Sequence, residues 1–379
     1  MTQYKKILRA KTVDLFHYQD LTENQQLNIE FNTREMQRCA SSLKSVPQRL
    51  VLELTNACNL NCIMCGRQST SFSSTFFDLQ WMKVLSPILD RVTEVTLFGW
   101  GEPTVHPKFR QILEYLDRFP IKKYFLTNGM LLDRYAELIA DTVDVMAVSL
   151  DGAIQSTNDR IRKGADFNKI IDNLRLMVAK RNDSTQNRPY INFVMTLMQD
   201  NLHELPHLVE LAHFIGVEEV KAVYLTSFSE SMASQVLWDQ QERIQKVFEQ
   251  AIRIAQRCGI LLKLPYLQGA DPAGDNPHKP CFVGWRDFFL GSDGFARPCQ
   301  STAEKFVNIK NYVDFMEMWN SPQFQSFRTN VNQSRSMPHQ CGVCYQSTYA
   351  NWNKSSSFLQ NEVSSKFAPD WETSSHENP

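Results

Sequence analysis

From residue 49 onward the chain alternates short apolar runs with longer amphipathic stretches. LVLEL at 50–54, VTLF at 95–98, YFLT at 124–127, VMAVSL at 145–150, INFVMTL at 191–197 and VKAVYL at 220–225 are brief and rich in β-branched and aromatic residues. They predict six buried strands. Apolar residues at helical spacing over 78–90, 107–118, 132–140, 168–180, 203–215 and 239–257 predict the helices that follow them. Successive βα units predict an α/β fold with a parallel sheet, right-handed crossovers and helices on the outside. The pattern by itself fits an open sheet or a partial barrel. In either, chemistry gathers at the carboxyl ends of the strands.

The rhythm fails at both ends. Residues 1–48 are polar without a domain-scale pattern and predict an extension packed outside the main fold, which spans 49–265. After about residue 260 the alternation stops, and QGADPAGDNPHKP at 268–280 reads as a loop. A small cysteine-bearing module at 266–353 follows, in which Asp293-Gly294 predicts a hairpin turn between short strands. The polar, aperiodic stretch at 354–379 predicts a mobile tail.

Composition narrows the class without naming it. The 379 residues are 42% hydrophobic and 21% charged, as in ordinary globular proteins, and the formal net charge of −1 offers no field for nucleic acid or an anionic membrane. No apolar run is long enough to span a bilayer, and the first twenty residues have no apolar signal-type core, so a cytoplasmic protein is expected. Nine cysteines in that setting are not expected to be a disulfide framework. Seven fall into two groups: Cys58, Cys62 and Cys65, then Cys281, Cys299, Cys341 and Cys344.

The first group, CNLNCIMC, has the spacing C-x3-C-x2-C and directly follows the first predicted strand. Thiolates are soft ligands that select zinc or iron–sulfur centres. A zinc site needs a fourth ligand, and no His or Cys occurs in the twenty residues after Cys65. A 4Fe–4S cluster held by three cysteines keeps one iron open, and an open position on a metal usually serves chemistry. Two more segments close strands: Gly99-Trp100-Gly101-Glu102-Pro103 after the second, and Ser149-Leu150-Asp151-Gly152 after the fourth. Each alone reads equally well as a turn.

Together these segments resemble the radical S-adenosylmethionine (SAM) superfamily. The resemblance implies a partial (β/α)6 TIM-like barrel and a 4Fe–4S cluster on Cys58, Cys62 and Cys65, with SAM on its open iron. It implies that Gly99, Trp100, Gly101 and Glu102 correspond to the GGEP segment and bind the methionyl ammonium, a pairing that suits a carboxylate. Asn128 closes the third strand, and Ser149 and Asp151 match an SxDG segment whose serine contacts SAM. Among Arg160, Arg162 and Lys163, Arg162 is the expected partner of the SAM carboxylate. Met64 stands where the family usually has an aromatic residue, and its polarizable surface suits an adenine face.

The four later cysteines, with Gly294 five positions before Cys299, look like a SPASM module shortened to the form called twitch. That likeness implies a second, auxiliary 4Fe–4S cluster; four thiolates in two pairs also describe a structural zinc site. The spacing is similar to that of the twitch-bearing 2-deoxy-scyllo-inosamine dehydrogenases, which implies oxidation of a small-molecule alcohol, with the auxiliary cluster accepting an electron. An external electron donor such as flavodoxin or ferredoxin is then expected. Maturation of a ribosomal peptide is the alternative, and a non-catalytic iron–sulfur electron carrier is an alternative of another class. Glu53, a carboxylate in an apolar strand, is the speculative catalytic candidate. Tyr224 reads as packing or an adenine neighbour.

Overall fold

A computed structural model describes residues 20–69, 73–228, 230–237, 240–265, 281–299, 304–333, 335–339 and 341, with the backbone of 358–360. Seven parallel strands pair in chain order: β1 (Arg49–Leu52), β2 (Glu94–Leu97), β3 (Lys122–Thr127), β4 (Val145–Ser149), β5 (Tyr190–Leu197), β6 (Glu219–Tyr224) and β7 (Leu261–Pro265). On the other edge of β1, β8 (Asp287–Leu290) adds in parallel, and β9 (Phe295–Arg297) and β10 (Val307–Asn308) continue antiparallel. β11 (Phe358–Gln360) lies antiparallel on β7. Among the described residues β10 and β11 stand at opposite ends of the strand order, so the barrel is partial.

Alternation along the strands gives the sheet two faces. Leu50, Leu52, Val95, Leu97, Phe125, Met146, Phe193, Val220 and Leu262 are buried in the main apolar core, which joins strands and helices. The opposite face lines the barrel lumen: β3 turns half-buried Tyr124 and Leu126 to it, and buried Phe125 and Thr127 away from it. The amino-terminal end of the lumen is filled by buried ion pairs: Arg49 lies 2.6 Å from Asp287, and Lys263 lies 3.7 Å from Glu219. The predicted motifs fall at the carboxyl ends of the strands.

All six predicted strands are present, and a seventh follows them. In β7 the sequence LLKLP carries a lysine and a proline, which break the apolar signature, yet Lys263 is fully buried against Glu219. The hairpin at Asp293-Gly294 forms as expected between β8 and β9, with Gly294 at φ +82°. The expected helix at 78–90 is a chain of short turns around Pro87, whose ring cannot continue a regular helix. A further helix, Gln155–Ile161, carries Arg160 in its last turn and ends just before Arg162 and Lys163.

The N-terminal segment is more ordered than its polarity predicts. A helix at Glu23–Gln37 opens with a capping box between Thr22 and Gln25. Its buried face is polar: Gln25 Nε2 donates to the carbonyls of Val92 and Pro120, Asn28 exchanges two hydrogen bonds with Val46, and Asn32 Nδ2 donates to the Trp285 carbonyl. The expected mobile tail lies outside the described residues, β11 apart. Among the described residues no helix is long and apolar enough to cross a membrane.

Candidate cluster and cofactor site

β1 runs directly into the first cysteine group. Ala57 N donates to Thr55 Oγ1, which turns the chain as it leaves the strand. The following loop is stitched to the segment after helix Gln155–Ile161 by Asn61 N to Lys163 O (2.8 Å) and Ile63 N to Ile161 O (2.9 Å). Cys65 N donates to Cys62 O, and Gln68 Nε2 donates to the carbonyls of Asn61 and Cys62. Two amides reach the first thiol: Leu60 N lies 3.4 Å and Asn128 Nδ2 3.9 Å from Cys58 Sγ. Backbone on both sides thus fixes a loop that presents three half-buried thiols.

Burial pushes the Cys58 thiol up and the Cys62 thiol up to about 11, with Arg162 opposing it at Cys62. Thiolates at Cys58 and Cys62 are therefore unfavourable unless a cation of high charge joins them, which is what an iron centre provides.

The turn after β2 lies on top of this loop. A Cβ on Gly101 would stand 2.3 Å from the carbonyl oxygens of Thr55 and Ala57, so only glycine fits there. Glu102 N donates to Ala57 O at 2.9 Å. The Glu102 side chain is engaged within the protein. It is 3% exposed, and its carboxylate accepts from Thr104 N (3.2 Å), Thr104 Oγ1 (2.6 Å), Thr127 Oγ1 (2.8 Å) and Asn128 N (2.7 Å). Burial raises its pKa against those bonds. The side chain ties β2 to β3, which leaves backbone, and the 43% exposed Trp100, to face a ligand.

Asn128 joins the same framework, donating to Asn59 Oδ1 at 2.8 Å beside Cys58. Asp151 is fully buried rather than open to a cofactor: Oδ1 accepts from Thr196 N at 2.7 Å, and Oδ2 lies 2.7 Å from Arg162 Nη2. Of the three basic candidates, Arg162 is the buried one whose charge acts on Cys62 and Cys58. Arg160 instead pairs with Asp200 at 2.5 Å near the surface. Ser149 ends β4 on the lumen face, half-buried. Met64 packs with Ile63 against Ile161, Met198, Leu225 and Met232. Tyr224 belongs to the apolar core.

Glu53 does not stand as an available base. Oε1 accepts from Trp100 N at 2.8 Å, and Oε2 accepts from Ser292 N at 3.1 Å and Ser292 Oγ at 2.7 Å. Sequence reasoning missed Arg67, whose charge acts on Cys58 and whose Nε is buried without a hydrogen-bond partner. Its place two residues after Cys65 was the signal. Phe228, edge-on to Trp100 at 5.6 Å, was also missed, because nothing in the sequence joins those two loops.

Of the second cysteine group, Cys281, Cys299 and Cys341 are half-buried, and Cys344 lies outside the described residues. Cys281 and Cys299 pack against Val51, Val283 and Phe289 on the lumen side of β1 and β8. Asn332 clamps Cys281 through both backbone groups. One strand, β1, therefore meets both groups: its end enters the Cys58 loop, and its face touches Cys281 and Cys299.

Comparison with known proteins decides what this arrangement is. Residues 52–212 match the radical SAM superfamily model, and residues 281–345 match the SPASM iron–sulfur cluster-binding domain. The chain carries a radical SAM domain followed by a SPASM module. Similar curated proteins include a tungsten-containing aldehyde ferredoxin oxidoreductase cofactor-modifying protein of Pyrococcus furiosus, 24% identical over 74% of this chain and 82% of that one. The PqqA peptide cyclase of Gluconobacter oxydans is 26% identical over 80% and 84%. Among solved structures, Streptococcus suis SuiB bound to S-adenosylmethionine superposes with a TM-score of 0.63 at 15% identity, covering 86% of this chain and 78% of that one, which establishes the shared fold.

A radical SAM domain carries a 4Fe–4S cluster and SAM, and a SPASM domain carries auxiliary iron–sulfur clusters. The residues present fit: three soft donors on one backbone-fixed loop, amide donors directed at sulfur, and Arg162 beside them.

Proposed function

We propose that this radical SAM enzyme modifies a peptide, removing hydrogen from it to form a crosslink or an oxidised residue. The observation that carries this reading is the set of relatives matched along most of their length, two kinds of which are peptide-directed by name: the PqqA peptide cyclases and the subtilosin biosynthesis protein of Bacillus subtilis. The fold of SuiB, solved also with its precursor peptide SuiA, supports it. Small-molecule alcohol oxidation, the first expectation from cysteine spacing, has less behind it than the peptide alternative.

When bound, the cluster on Cys58, Cys62 and Cys65 supplies the electron that cleaves SAM to methionine and a 5′-deoxyadenosyl radical, which takes a hydrogen atom from the substrate. The protein's part is placement. Backbone of Gly99–Glu102 takes the methionine end of SAM, held down by the Glu102 hydrogen bonds. Arg162, steadied by Asp151, balances the negative charge of the cysteine loop, and Ser149 and Met64 border the cofactor. Trp100 and Phe228, both more than 40% exposed, flank the approach. Cys281, Cys299, Cys341 and Cys344 would hold an auxiliary cluster, which would offer an electron acceptor near the substrate, and a ferredoxin or flavodoxin would be the external donor.

The test is anaerobic turnover of reconstituted enzyme with SAM, a reductant and each short peptide encoded beside its gene. Peptide-dependent 5′-deoxyadenosine and a peptide lighter by two hydrogens are expected. Deoxyadenosine production that answers to polyols and not to any such peptide would return the assignment to small-molecule oxidation.

A further inference from the structure

Glu53 sits where three parts of the molecule meet. It follows β1 on the lumen face, and its own N–H donates to Leu290 O at the end of β8. One carboxylate oxygen accepts from Trp100 N in the turn after β2. The other accepts both the N–H and the hydroxyl of Ser292, in the hairpin between β8 and β9. Ser292 is 2% exposed, and its hydroxyl also meets Thr75 Oγ1 at 2.8 Å. A Cβ on Gly99 would stand 2.3 Å from Glu53 Cγ, so the turn lies against the carboxylate with no slack.

We propose that Glu53 is a positioning residue, a strut whose two oxygens lock the Gly99–Glu102 turn to the hairpin of the SPASM module. The carboxylate suits this task because it is acceptor-only and can serve three donors at once. The two bonds from Ser292 are partly buried, and the one from Trp100 N reaches the more open turn. The module thereby sets the height of the turn above the cysteine loop. The bearing of this on SAM rests on the proposed assignment of the turn to SAM.

Two variants test the strut. Glu53→Gln keeps the shape, but its amide nitrogen cannot accept, so one end of the strut is lost. Ser292→Ala removes one donor on the module side and touches nothing in the turn. Hydrogen exchange would be followed by mass spectrometry on peptides covering 97–105 and 288–296 of anaerobically reconstituted protein, with iron content and melting temperature as controls. Both variants should speed exchange in both peptides, by roughly tenfold in Glu53→Gln, and the double variant should be no faster than Glu53→Gln alone. An unchanged 97–105 peptide in Ser292→Ala, or effects that multiply in the double variant, would overturn the strut.

SAM affinity, measured on the same samples, separates this from the cofactor assignment. Weakening by roughly tenfold in Glu53→Gln, with iron retained, is expected. Wild-type affinity alongside faster exchange would remove SAM from the turn while leaving the strut in place.

Discussion

Glu102 shows how the letters of a motif and the contacts of its side chain can point to different work. The letters Gly-x-Gly-Glu-Pro mark where backbone must approach a ligand, and Gly101 lies so close to Thr55 and Ala57 that no side chain would fit. The carboxylate next to it serves the scaffold, with four hydrogen bonds to Thr104, Thr127 and Asn128. Glu102→Ala should therefore destabilise the cluster-free protein by about 3 kcal/mol, because it strands buried donors that have no water to turn to. Urea denaturation of apoprotein checks this; a stability equal to wild type would mean that the carboxylate works chiefly on the cofactor. The first cysteine group was legible as a soft-metal site because its spacing gathers three thiolates on one loop. Asp151 and Arg162 were legible as positions, but their pairing was not, since it depends on how the loop after β4 folds back on itself.

Elements were legible in proportion to how apolar their buried faces are. β1 to β6 announce themselves, and helix Gln241–Cys258 buries Ile244, Phe248, Ala251, Ile254 and Ala255 at helical spacing. Helix Glu23–Gln37 gave no such signal, because its buried positions are Gln25, Asn28 and Asn32, held by hydrogen bonds, with Ile29 alone apolar among them. β7 was hidden by Lys263 for a similar reason. Asn32 is fully buried, donating to Ser45 Oγ and the Trp285 carbonyl while accepting from Gln48 Nε2. A change to leucine raises hydrophobicity and helix propensity together, so a reading from pattern alone expects a gain. We expect Asn32→Leu to lose about 2–4 kcal/mol, since Gln48 and the Trp285 carbonyl lose partners in a buried site. Equilibrium denaturation decides the sign.

Across the whole molecule, hydrogen bonding joins what the sequence divides. The cysteine-bearing module contributes β8 to the barrel sheet, in register with β1 from Arg49 opposite Asp287 to Leu52 opposite Leu290. The segment after the first helix is held by the same module, through Trp285 Nε1 to Ala40 O, Arg328 Nη1 to Ser41 O, and two bonds between Asn320 and Leu43. The seam is closed at the bottom by Asp287, flanked by Arg49 at 2.6 Å and Arg286 at 3.0 Å. Burial alone would push the Asp287 carboxyl up, but Arg286 and Arg49 outweigh it and hold it below the usual carboxylate range. A depressed native pKa means that the stability it confers is complete above the unfolded value, about 3.9, and drains away as pH falls through the lower native value. Acid should therefore attack the seam between barrel and module. Because that seam is a continuous sheet, its loss should take both parts down in one transition, and Asp287→Asn should unfold at a higher pH by leaving Arg49 and Arg286 without their carboxylate. Tryptophan fluorescence, in which buried Trp285 and Trp319 of the module and Trp81 beside the barrel are three of seven emitters, can be followed with far-ultraviolet circular dichroism through an acid titration. Coincident midpoints, shifted together by Asp287→Asn, are the expected result; two separated midpoints would show that the module folds apart from the barrel it completes.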